Sequence, residues 1–144
     1  MEFFGHEWAA AAKDAINTFP DDTYRETKLF MYWDWITAAR KSFNGSWAVG
    51  VRDLPSGARY VNFTFKDGQV TAADVSSEVP DATFVLAGDY NTWKDVIEGY
   101  DAGKAVMYRR FMLDSGDVFR FFNRIYVFTE SLVAITKVPA TLPA

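Results

Sequence analysis

Few side chains in this sequence have the type and spacing for chemistry. His6 is the single histidine and sits near one end with no partner set around it. A metal site needs several ligands and a general base needs an orienting group, so His6 reads as a surface residue. No serine stands in a nucleophile elbow, and a Ser-His-Asp triad would have to recruit that terminal histidine. The lack of cysteine excludes disulfides, thiolate nucleophiles, cysteine-ligated zinc and iron–sulfur clusters. Gly99-Tyr-Asp-Ala-Gly-Lys104 has the outline of a phosphate loop. It is one residue too short, lacks the Ser or Thr after its lysine and follows a helix instead of a strand, so it reads as one helix's stop and the next one's start. Asp34, inside the run YWDW, would be a general acid or a polar ligand contact if buried; facing solvent between the rings is the simpler placement. Arg109-Arg110 opens a strand, and Arg120 and Arg124 lie four residues apart. Such groups can hold a carboxylate or phosphate, although the wet side of a helix is their commoner role.

What stands out instead is apolar. Residues 119–128 read FRFFNRIYVF, with five aromatics in ten residues. On one continuous helix over 117–134, Arg120, Asn123, Arg124, Val127, Glu130 and Ser131 mark a narrow polar stripe. Val118, Phe119, Phe121, Phe122, Ile125, Tyr126, Phe128, Leu132 and Val133 cover the rest. An ordinary surface helix buries an arc of somewhat over about 100°. This one needs more cover. One side packs on a sheet, and the other requires the helix expected over 23–41, a second subunit or a hydrophobic ligand.

Composition fits that question. The 144 residues are the length of one domain with a real core; 49% are apolar and 24% charged, while the aromatic share reaches 17%, with 13 Phe, 7 Tyr and 5 Trp. Rings pack imperfectly around each other, so aromatic-rich interiors tend to line cavities. The net charge of −4 is uneven: residues 1–100 hold 9 bases against 15 acids, and residues 101–144 hold 6 against 4. A sequence pI near 4.9 argues against nucleic acid as a partner. The more basic C-terminal portion can still meet a lipid headgroup in a transient contact with a membrane surface. MEFFGHEW carries acids where a secretory signal needs bases, and no later window approaches the length of a membrane span, so a cytoplasmic protein is expected. The triplets Asn44-Gly45-Ser46 and Asn62-Phe63-Thr64 are then chance matches to a glycosylation site.

Periodicity places the elements. Residues 7–17 are alanine-rich with Trp8, Ala12, Ala15 and Ile16 at helical spacing, and Phe19-Pro20 ends that helix. Asp21, Asp22 and Thr23 cap a second helix to about 41, burying Leu29, Phe30, Trp33, Ile36 and Thr37, with Tyr32 and Trp35 widening the stripe. The period then changes to two. Trp47, Val49 and Val51 alternate in 47–53, and Val61, Phe63 and Phe65 in 59–66. Asp67-Gly68 is a hairpin turn into a third strand over 69–76, and a fourth follows at 82–87, giving an antiparallel meander. Helices over 89–100, capped by Asn91 or Thr92, and over 101–108 precede a strand at 109–114 and the final helix. One α+β domain over 1–144 results, with residues 138–144 as a frayed tail.

This order of elements, with several local patterns, resembles the sterol carrier protein 2 family of lipid-binding domains over about residues 22–135. The resemblance lies in WAVGVRD with its following hairpin and Lys-Asp-Gly turn, in ATFVLAGDYNTW, in WKDVIEGY with its closing glycine, and in KAVMYRRFMLDSGD leading to the apolar helix. The sequence departs from the family where Arg109 and Arg110 replace a usual glycine and lysine, and where Ser115 adds a residue to the last turn. Residues 1–20 read as an extra helix, and the closing TLPA is no peroxisomal tripeptide. The resemblance implies an α+β fold with about five strands in a mainly antiparallel sheet, covered by helices that enclose an apolar tunnel. It implies non-enzymatic binding and transfer of a fatty acid, acyl chain, sterol-like or polyprenoid lipid, with no metal and no cofactor. The expected lining residues are Phe63, Phe65, Phe84, Phe111, Leu113, Phe122, Tyr126 and Phe128, with Trp33 and Trp93 as further candidates. Two other roles compete with it: an interaction module, including a homodimer, that uses the aromatic helix, and an enzyme on an apolar substrate with Asp34 or tyrosines as acid–base groups.

Overall fold

The structure, a computed structural model, describes residues 1–18, 26, 28 and 30–142. Alternating apolar residues build β1 (Gly45–Leu54), β2 (Gly57–Lys66) and β3 (Gln69–Ser76), and β4 (Phe84–Gly88) and β5 (Phe111–Ser115) follow. Asp67 and Gly68, at φ 49 and 81, form the tight β2–β3 turn. The strand order is β3-β2-β1-β4-β5. All neighbours pair antiparallel except β1 and β4, which run parallel with Trp47 opposite Phe84 and Val49 opposite Leu86. The fold is α+β, and its sheet is mixed, mostly antiparallel. The meander expected through the fourth strand therefore stops at β3, and residues 77–83 carry the chain back across to β1. There Ser46 N–H donates to Thr83 Oγ1 at 3.1 Å and Thr83 N–H donates to Ser46 Oγ at 3.0 Å, pinning the start of β4. A period of two is the same for either direction of pairing, so the alternation carries no sign of this switch.

Six helices are described: α1 (His6–Thr18), α2 (Phe30–Lys41), α3 (Tyr90–Ile97), α4 (Ala102–Met107), α5 (Val118–Asn123) and α6 (Ile125–Thr136). The expected start of the second helix, with Leu29 and the Phe30 side chain, lies outside the described residues. Trp33 and Ile36 of α2 are buried, whereas Thr37 and Trp35 are exposed. α3 is capped by Asp89 and not by Asn91 or Thr92, because the Asp89 carboxylate accepts from Thr92 N–H at 2.8 Å. Hydrogen bonds from the Thr92 side chain and then from its backbone N–H, aided by Arg110 and Arg52, hold the Asp89 carboxyl below the ordinary carboxylate range.

The long helix expected over 117–134 is two helices. Arg124, at φ −120 and ψ 22, breaks it. Phe121 and Phe128 then face the core with rings stacked 5.0 Å apart. Val127, Glu130 and Ser131, expected on the polar stripe, are buried, and Phe119, Phe122 and Tyr126, expected on the apolar arc, are exposed. The inverted face is covered by α2, through a Trp33–Ile36–Val127 cluster and a Tyr32 hydroxyl that donates to Glu130. The wheel supposes an unbroken helical step, and the break rotates the residues after it, Tyr126, Val127, Glu130 and Ser131 among them; Phe119 and Phe122 precede the break and are exposed on the first of the two helices.

α1 packs on β3 and α6, α3 on β1, and α2 and α4 on α6. Between them and the sheet lies the main core, into which Trp47, Val49, Val51, Val61, Phe63, Phe65, Phe84 and Leu86 point. The opposite sheet face holds a small cluster of Ala48, Tyr60, Val85 and Ala87. Tyr60 lies over Gly50, where an added Cβ would stand 2.4 Å from the ring. Phe3, Phe4 and Trp8 gather around Trp93, which donates through Nε1 to the Gly50 carbonyl at 2.9 Å. The N-terminal helix thus contributes to the main core. In the tail, Thr141 forms a parallel bridge with Glu2, and its N–H donates to the Met1 carbonyl at 2.7 Å.

Candidate functional site

The ten residues expected to line a ligand space fall into four places. Phe63, Phe65, Phe84 and Phe128 meet one another through Phe43 and Trp47, with ring centroids 5.0 to 6.2 Å apart, and are fully buried in that packing. Trp93 packs edge-on against Phe111 at 4.7 Å, and Trp33 belongs to the small cluster beneath α2. Phe111, Leu113 and Phe122 converge on a cleft of about 170 Å³ between α4, β5 and α5, together with Val106, Met107, Phe121 and Arg109. Tyr126 lines a second, larger cleft. Part of the ring surface therefore fills the core, and part of it faces open space.

The larger cleft, about 580 Å³, lies between the start of α2, residues 96–103 and α6. Val96, Ile97 and Val133 supply apolar wall, Tyr32, Tyr100 and Tyr126 supply rings, and Lys28, Asp101, Glu130 and Lys137 supply charge. Lys28 Nζ lies 5.5 Å from the centre of the Tyr32 ring, and the Arg110 guanidinium 5.0 Å from that of Tyr100. Glu130 is only 6% exposed. Its Oε1 accepts from the Tyr32 hydroxyl at 2.5 Å, and its Oε2 has no hydrogen-bond partner among the described residues. Sequence reasoning placed Glu130 on a wet stripe. The available signal was that it is the sole charge in IYVFTESLVAIT.

The other polar candidates do not converge. His6 and Asp34 are exposed. Arg110, which precedes β5, pairs with Asp95 at 2.7 Å, and Arg120 is exposed. Arg124 donates through Nη2 to Ser42 Oγ at 3.3 Å and lies over the Phe43 ring. Among the described residues no group of three or more His, Asp or Glu is arranged to hold a metal ion, and no helix is long and apolar enough to cross a membrane.

No protein-family model matches the chain, and no curated protein matches it. Solved structures do match it, two of them over nearly the whole chain. A crystal structure of sterol carrier protein 2 is 23% identical, covers 96% of this chain and 100% of its own, and superposes with a TM-score of 0.74. A solution structure of a conserved hypothetical protein of Thermus thermophilus, for which sterol carrier protein is the suggested identity, is 22% identical. It covers 100% of this chain and 94% of its own, with a TM-score of 0.72. That second match covers the whole chain, the N-terminal helix included.

Proposed function

From a fold shared with sterol carrier protein 2, we propose that this chain binds an apolar small molecule of the lipid class and carries it without transforming it. The observation that carries this reading is the convergence of Phe111, Leu113 and Phe122 with Val106 and Met107 on one apolar cleft, beside a core whose rings are packed tight. Moving apolar surface out of water there gains about 25 cal/mol per Å². The smaller cleft suits the end of a chain. The larger one, on the other side of α4, is inside the range of about 300–1,000 Å³ that small-molecule sites occupy.

Native mass spectrometry of the purified protein, followed by solvent extraction, tests the reading directly. A stoichiometric apolar ligand is expected; a bare protein that takes up no lipid from vesicles or detergent overturns it. Phe122→Glu should abolish uptake in a protein that still folds, since Phe122 is already half exposed. A second reading, an interaction module, is favoured by Phe119, Tyr108 and Met107, which are 83%, 70% and 66% exposed. It predicts a mass in light scattering that grows with concentration and falls back in Phe119→Ser.

A further inference from the structure

Glu130 is the only charged residue of α6, and the fold turns it inward to 6% exposure. Tyr32 completes one carboxylate oxygen, and the other is enclosed without a donor among the described residues. An ionised carboxylate offers acceptors only, and a buried acceptor left bare is costly until something donates to it. Lys28 does not fill this need: its ammonium lies over the face of the Tyr32 ring. A residue whose task was cover alone would be apolar here, as Val127 is beneath Trp33 and Ile36. Glu130 itself lines the neighbouring cleft, so Oε2 can meet a donor there with Oε1 left on Tyr32. That cleft has apolar walls from Val96, Ile97 and Val133 and a volume of about 580 Å³.

We propose that this cleft receives a ligand with an apolar body and a hydrogen-bond-donating head, hydroxyl or ammonium. Glu130 accepts the donor through Oε2 while Tyr32 keeps Oε1. The selection rests on the chain's binding an apolar small molecule, and it adds which head group that molecule carries. At Glu130 Oε2 itself a free fatty acid's head is disfavoured, because its carboxylate would face a second anion and bring no donor.

The test is calorimetric titration of the delipidated protein with dodecanol, dodecylamine, dodecyl methyl ether and dodecanoate, which share one apolar body. The alcohol and the amine should bind about tenfold or more tightly than the ether, with dodecanoate no better than the ether. An advantage of the amine that shrinks with added salt identifies an ammonium head, and an alcohol advantage indifferent to salt identifies a hydroxyl; both support the site. In Glu130→Gln, with the Tyr32 hydroxyl still on the amide oxygen, the other position becomes a donor, and the lead of the alcohol and amine should fall to within about twofold of the ether. Equal binding of all four ligands, or a lead that survives Glu130→Gln, overturns the head-group selection and leaves the binding of apolar molecules standing. If none of the four binds, both fall. The comparison on the native protein decides the matter even where the variant does not fold.

Discussion

Two phenylalanines six positions apart separate stability from uptake. Phe128 is fully buried among Phe43, Trp47, Phe84 and Phe121, so Phe128→Ala should cost about 3–5 kcal/mol. Phe122 is 46% exposed, and Phe122→Ala should cost less than about 1 kcal/mol while weakening ligand uptake. Urea denaturation beside ligand titration checks both, and a large stability loss at Phe122 would place it in the core instead. Asp89 makes a prediction with a sign. Its native carboxyl titrates below the unfolded value near 3.9, so the stability it adds is present above that pH and is lost as the pH falls through the native value. Asp89→Ala should lower stability at neutral pH by about 1 kcal/mol, and the loss relative to wild type should shrink below about pH 4. Arg109 carries φ 63 in the place where the family it resembles usually has glycine. Arg109→Gly should therefore raise the denaturation midpoint, by about 1 kcal/mol; a lower midpoint would mean that the arginine's contacts outweigh its backbone strain.

At the level of elements, Gly50 ties the two faces of the sheet. Its carbonyl receives the Trp93 indole from the core side, and Tyr60 covers it from the other. Gly50→Ala drives a methyl into that ring and should cost about 1–3 kcal/mol in urea denaturation, with part recovered by Tyr60→Ser. How far such elements were legible beforehand depends on what encodes them. The inward faces of β1 and β2 were readable in Trp47, Val49, Val51, Val61, Phe63 and Phe65, because strict alternation has one physical cause. The parallel placement of β4 was not, since its side chains are buried on both faces and alternate the same way in either direction. The break at Arg124 was hidden for another reason. Neither glycine nor proline marks it, and what it achieves is tertiary: it lets Phe121 and Phe128 stack in the core. The misreading of that one residue carried Glu130 to the wrong side, and with it the polar half of the larger cleft. Phe111, Leu113 and Phe122, expected among the lining residues, stand instead around the smaller cleft, and their alternation and ring content were readable in the sequence.

On the scale of the molecule, helices and sheet enclose a core filled by rings, while the clefts flank α4. A ligand held there binds the folded chain alone. At a hundredfold excess over Kd it should add about 2.7 kcal/mol, or a rise in Tm of about 10 °C for a chain of this size. Differential scanning calorimetry of delipidated and ligand-loaded protein measures this, and coincident melting curves would exclude specific uptake. The bridge between Glu2 and Thr141 has a further consequence. Main-chain bonds hold the two outermost described segments side by side, so the order of elements closes on itself like a ring cut at one point. Joined there by a short flexible linker and cut instead at the exposed Pro55-Ser56 turn, a circular permutant should keep the sheet order and both clefts.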